Sequence, residues 1–169
     1  MTVKKIIASA ALAAAIGIAA PAFAQDAGAA ATVAAPAVDA TPITTKSGTI
    51  GAPPAGKAQI VFWRPGSIMG VALGCTVREG TDDNEIARLG AGKYWVHVAE
   101  PGKHTYYTTG EATDRLNMEL EPDETYFVKC AIGMGVMSGR AQISPSDRAT
   151  FTARAKKMKI WAKKDDDKK

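Results

Sequence analysis

Three observations predict an all-β fold, an antiparallel β-sandwich followed by a short C-terminal amphipathic helix. Short runs between residues 57 and 144 alternate apolar and polar side chains with the period of a half-buried strand. Gly, Pro, Asp and Asn separate those runs at close spacing. No helical stretch of useful length interrupts them, which argues against a parallel α/β sheet.

The elements follow in order. "KAQIVFWR" is the first strand, stopped by Pro65-Gly66. "GVALGCTVRE" is the second, with Val71, Leu73, Cys75 and Val77 on one face. "TDDN" turns the chain into a short third strand, "EIARLG". In "KYWVHVA", Tyr94, Val96 and Val98 alternate with Trp95, His97 and Ala99. "KHTYYTT", "RLNMEL", "TYFVKCAI" and "RAQIS" complete the set, and seven or eight strands at this spacing read as an immunoglobulin/transthyretin-like sandwich. Two of the connections echo each other, "EPGKHTYY" at Glu100 and "EPDETYF" at Glu121. Both are turn chemistry: Pro presets φ, Gly102 suits a positive φ, and Asp123 satisfies nearby backbone groups.

The sandwich, at 56–144, carries an extension on each side. Residues 1–24 place Lys4 and Lys5 before an apolar run that ends in Ala22-Phe23-Ala24, a secretory signal peptide cleaved between Ala24 and Gln25. No cysteine follows the run, so a periplasmic or secreted protein without a lipid anchor is expected. Residues 25–55, rich in Ala, Pro and Thr and free of aromatics, read as a disordered arm. From 145 the chain predicts a basic helix, with Ser144 as N-cap, Pro145 first and Asp147 third. Phe151, Ala155, Met158 and Ala162 form its apolar stripe, Trp161 lies beside it, and "KKDDDKK" frays at the end. The stripe suits either packing on the sandwich or binding an anionic surface.

Charge narrows the choice of partners. The formal net charge is +4, but loss of Lys4 and Lys5 leaves 19 Lys and Arg against 17 acids. A nucleic-acid partner is not expected at that balance. The charges are also segregated: residues 145–169 hold nine basic side chains and four Asp, whereas 57–144 hold nine basic and eleven acidic ones.

Motifs of catalysis are scarce. The chain has two histidines, His97 and His104, and no nucleophile elbow, C-x-x-C or H-x-x-x-H. "TDDNE" suits an exposed turn better than a cation site, and no cofactor is implied. "GMGVMSG", with Gly133, Gly135 and Gly139, lacks the following helix that a phosphate loop needs, since "RAQIS" continues as strand. Cys75 and Cys130 share the apolar parity of their strands and form a disulfide candidate in an exported chain. Two separately buried thiols fit the same parity. Trp63, Trp95, Tyr107 and Phe127 fall on the other parity and are a candidate binding face for glycan or peptide.

Taken in order, "AQIVFWRPGS", "LGAGKYWVHVAEPGKHTY" and "LEPDETYFVKCAIGMGVMSGRAQI" resemble the bacterial domain of unknown function 2846 family. The resemblance covers about 57–144 and implies an exported β-domain with no established activity or catalytic residues. The expectation is therefore a non-enzymatic periplasmic or envelope module that binds or scaffolds. Its partners would be an envelope glycan, a protein, or an anionic surface met by the basic tail. The alternative is a small periplasmic hydrolase or metal-dependent enzyme with a site near His97 or His104.

Overall fold

The computed structural model describes residues 41–68, 71–81, 84–135 and 139–162. The signal segment with its Ala24–Gln25 junction, residues 25–40 of the arm, and the tail 163–169 lie outside the described residues. In chain order the elements are β1 (Ile43–Thr45), β2 (Gly48–Ile50), β3 (Ala58–Arg64), β4 (Cys75–Glu79), β5 (Asn84–Leu89) and β6 (Lys93–Ala99). They continue with β7 (Gly102–Thr108), β8 (Asp114–Leu120), β9 (Thr125–Gly133), β10 (Arg140–Ser146), α1 (Arg148–Ala155) and β11 (Lys159–Ile160).

Two sheets form the sandwich. One has the order β10-β9-β3-β6-β11 and the other β5-β4-β7-β8. Pairing is antiparallel except where β3 meets β9 and β6 meets β11. The fold is thus the all-β sandwich with one short helix near its C-terminal end.

Alternation in β3 sorts its side chains to two cores. Ala58, Ile60 and Phe62 join Cys75, Val77, Leu89, Tyr106 and Val128 between the sheets. Val61 and Trp63 face the other way, into a second core with Tyr94, Phe127 and Phe151. Both faces of β3 are therefore covered, and all seven of its residues are buried. The two sheets are tied by a disulfide between Cys75 on β4 and Cys130 on β9, with Cα atoms 6.5 Å apart. They also meet through polar contacts beside β10. Thr108 Oγ1 donates to the Ala141 carbonyl at 3.1 Å, and Ile143 N–H donates to Asp114 Oδ2 at 2.8 Å. These contacts satisfy backbone groups on an edge strand that would otherwise offer them to another chain.

The expected disordered arm is corrected for its last part. Residues 43–50 form the β1–β2 hairpin, with Ile43 and Ile50 buried in the second core. Gly48 takes a φ of 142°, which lets the chain reverse. Thr45 Oγ1 and the Tyr94 hydroxyl are 2.9 Å apart in a buried hydrogen bond, and Lys46 N–H donates to the Met158 carbonyl at 3.1 Å. Two apolar anchors suffice because α1 and β6 supply the rest of their surroundings.

The helix starts later than expected. Ser144, Pro145 and Ser146 stay in β10, paired with Lys129, Val128 and Phe127. Asp147 is the N-cap, and its carboxylate accepts from Thr150 N–H at 2.7 Å. A hydrogen bond from the Thr150 hydroxyl, together with that backbone contact, holds the Asp147 carboxyl below its ordinary pKa. The helix ends at Ala155, so Met158 reaches the second core from the turn after it, and β11 then pairs with β6. Of the stripe, Phe151, Ala155 and Met158 pack on the sandwich, whereas Ala162 lies beyond β11 and is exposed.

The second strand is also shorter than expected. It begins at Cys75, and Val71 and Leu73 are exposed rather than inward. The two echoed turns behave as read, with φ of 129° at Gly102 and 64° at Asp123. Asp123 Oδ1 accepts from Gly56 N–H at 2.7 Å while its own N–H donates to the Lys57 carbonyl at 2.8 Å. Asp is among the few residues that tolerate that backbone, and here its side chain also ties the turn to the segment before β3.

Candidate functional site

Both histidines converge on one carboxylate. Cys75 and Val77 point between the sheets, and the same alternation turns Glu79, at the end of β4, inward as well. Glu79 pairs in register with Tyr106 of β7, and His104 lies two residues earlier on the same face. On β6, His97 is paired with Ile60, whose side chain belongs to the core between the sheets. The result is a Glu79–His97–His104–Tyr106 cluster at one end of the sandwich.

Its geometry is close. Glu79 Oε1 lies 2.6 Å from His104 Nδ1, and Glu79 Oε2 lies 3.5 Å from His97 Nε2. The other His104 nitrogen, Nε2, is 2.8 Å from the Glu100 carbonyl oxygen. A carbonyl can only accept, so Nε2 carries a hydrogen and Nδ1 faces the carboxylate. Filling both contacts requires either a doubly protonated ring beside an ionised Glu79 or a proton on Glu79 donated to Nδ1. Either way the pair holds one proton between the two groups. His104 stacks on Tyr106 with planes 6° apart, and His97 meets the Tyr106 ring edge-on. The Tyr106 hydroxyl is buried beside Glu79, and burial together with the nearby Glu79 carboxylate pushes its pKa well above the usual phenol value.

Burial also holds the His97 pKa below the ordinary histidine value; Glu79 opposes that shift and the His104 ring adds to it. This sets a direction for stability. An unfolded His97 takes up its proton near pH 6.5, while the folded one does so only at lower pH. Between those values the unfolded chain binds more protons, so stability is full above about pH 6.5 and falls as the pH drops. Urea midpoints measured from pH 8 to pH 5 should fall, and His97→Gln should flatten the decline. An equally steep decline in the variant would contradict this role for His97.

Among the described residues no group of three His, Cys, Asp or Glu side chains is arranged to hold a metal ion. In this cluster the carboxylate itself fills the space that the two ring nitrogens face. What the arrangement can do is hold and move a proton between Glu79 and an imidazole, with each of the three side chains about one-fifth exposed. The acids Asp82 and Asp83 of the "TDDNE" turn lie outside the described residues, as do 136–138 of the glycine-rich "GMGVMSG" segment.

The proposed aromatic face is corrected. Trp63 and Phe127 are buried in the second core, where Phe151 of α1 covers them. Trp95 lies on the opposite side of its sheet, packed edge-on against Trp161 at 5.4 Å. Tyr107 belongs to the other sheet, is 7% exposed, and carries the Arg115 guanidinium 5.2 Å above its ring. Trp63, Trp95 and Phe127 share one sheet but Trp95 is on its other face, and Tyr107 lies in the second sheet, so the four rings never form one surface.

Sequence reasoning named both histidines and missed Glu79 and Tyr106. The available signal was the His104-x-Tyr106 spacing, which puts both rings on one strand face. It also missed Arg64, which is buried and donates to the Leu73 and Leu89 carbonyls. Burial lowers its pKa, and those carbonyls anchor the loop after β3 to the end of β5.

The fold and its site define a disulfide-bridged β-sandwich with a partly buried His–Glu–His–Tyr cluster and no helix, among the described residues, long and apolar enough to cross a membrane. No family model, curated protein or solved structure matches this chain.

Proposed function

We propose that this protein is an exported, non-enzymatic β-sandwich module that binds or scaffolds in the bacterial periplasm or envelope. The bridge between Cys75 and Cys130 is the observation that carries the reading, because such a cross-link persists in oxidising compartments and is rare in the cytosol. The basic-apolar-Ala-x-Ala start of the chain supports the same compartment. The resemblance to the domain of unknown function 2846 family agrees with it. Native fractionation followed by crosslinking is the test. The protein should enter the periplasmic fraction and crosslink to an envelope component, equally well in the wild type and in a His97→Gln/His104→Gln variant. Retention in the cytosol would overturn the reading.

The convergence of both histidines on Glu79 favours a second reading, a small hydrolase or metal-dependent enzyme using that cluster. Imidazole NMR resonances that shift on addition of zinc, or an esterase activity abolished by Glu79→Gln, would favour it over the first.

A further inference from the structure

The strand registers give the sandwich two chemically different ends. Arg64 opposite Lys93, Arg140 opposite Gly133, and the Cys75–Leu89 pair mark one end. Ala58 opposite Ala99 and Gly102 opposite Leu120 mark the other. The second end is acidic, with Glu100, Glu119, Glu121, Asp123 and Glu124 against Lys57 and Lys103.

The first end is apolar at its tip and basic around it. Ile68 is 96% exposed, Val71 63% and Met134 84%, and Leu73 stands beside them. These residues come from two connections, β3–β4 and β9–β10, that meet in space. A Cβ at Gly139 would strike the Leu73 side chain and come within 2.7 Å of Ile132 Cγ2, so the two connections pack closely there. The described connecting residues at this end, 65–68, 71–74, 90–92, 109–113, 134–135 and 139, contain one charged side chain, Glu111. Arg88, Lys93, Arg140 and Lys159 surround them at the strand ends, and Lys156 and Lys157 follow α1 on the same side. Asp114 is the other acid here, and its carboxylate accepts from Ile143 N–H.

Exposed apolar side chains grouped at one tip mark an interaction surface. A basic collar around an apolar tip, with the acidic end pointing away, matches a surface that is anionic outside and apolar beneath. We infer that this end of the sandwich docks on an anionic lipid bilayer. Ile68, Val71 and Met134 enter the headgroup–acyl boundary while Arg88, Lys93, Arg140 and Lys159 meet lipid phosphates. This inference rests on the reading of the protein as an envelope module, and it assigns that module a partner. It differs from surface binding by the basic tail, because the contact is made by loops of the folded domain.

The experiment is cosedimentation of the oxidised protein with phosphatidylglycerol vesicles and with phosphatidylcholine vesicles, at low and high salt. Binding should need the anionic lipid and weaken as salt screens the collar. Ile68→Ser/Val71→Ser should lower the affinity by at least about tenfold, since each exposed side chain loses its apolar burial. Its melting temperature should not change, because both residues are exposed in the free protein. Arg88→Gln/Arg140→Gln should bind more weakly and with a shallower salt dependence, and removal of 163–169 should leave binding largely intact. Absence of vesicle binding, or binding that survives Ile68→Ser/Val71→Ser and is lost with 163–169, would overturn the inference. A concentration-dependent dimer dissolved by Ile68→Ser/Val71→Ser, with no vesicle binding, would assign the tip to a second copy and also overturn it. A periplasmic protein that ignores vesicles refutes only the docking, whereas a cytosolic one refutes the envelope reading.

Discussion

Replacing Cys75 or Cys130 by Ala should destabilise the protein by about 4 kcal/mol and lower its melting temperature by on the order of 15 °C. The bridge closes a loop with a sequence separation of 55 residues, and the chain-entropy account values such a closure at about that figure. Ala is the informative replacement, because both sulfurs are buried and Ser would add an unpaired hydroxyl to the core. Either single substitution removes the whole cross-link. The double variant should therefore lose little more than a single one, far less than the sum. Reductant should destabilise the wild type to a similar extent and leave the variants unchanged. Equal melting of wild type and variants, or fully additive losses, would mean that the two cysteines act only as separate small core residues.

The second large effect is expected at Phe151. Its ring touches three others, with centroids 5.7 Å from Trp63, 5.9 Å from Tyr94 and 5.6 Å from Phe127. It is fully buried, and it is the main contact by which α1 closes the outer face of the five-stranded sheet. Phe151→Ala should cost about 3–5 kcal/mol, the transfer loss of the ring plus the cavity it leaves. Trp63 should then become accessible to a fluorescence quencher, although its neighbours in β3 stay buried between the sheets. Thr152→Ala, on the exposed side of the same helix, should change stability by less than about 0.5 kcal/mol. A Phe151→Ala protein as stable as wild type, with Trp63 still protected, would show that the helix does not hold this face closed.

The sequence was most legible where one physical constraint acted alone. β8 alternates against the core between the sheets alone, so period and turn chemistry located it closely. Residues 43–50 were illegible because "ITTKSGTI" offers only Ile43 and Ile50 as anchors, and their partners, Trp63, Tyr94 and Phe151, come from far along the chain. The helix start slipped from Ser144 to Asp147 because both can cap. Pairing with Lys129–Phe127 then claimed Ser144–Ser146 for the sheet, a contact that local sequence does not contain.

The Glu79–His97–His104–Tyr106 cluster was half legible for the same reason. His97 and His104 were conspicuous as the chain's two histidines, and strand parity placed His97 opposite Val96 and Val98. Their meeting at Glu79 depends on the register of β4 with β7 and on the stacking of one sheet on the other. The aromatic rings show the converse error. Trp63 and Phe127 do point away from the core between the sheets, but a second core, made by the hairpin and α1, receives them.

Export and the inter-sheet bridge stand or fall together in one mass spectrum. The measurement is intact mass of the native protein, isolated from its host with thiols trapped, then unfolded and alkylated without reductant. The account predicts a chain beginning at Gln25, lighter by the first 24 residues, with no alkyl group at Cys75 or Cys130. A chain that still begins at Met1 and carries two alkyl groups would contradict it.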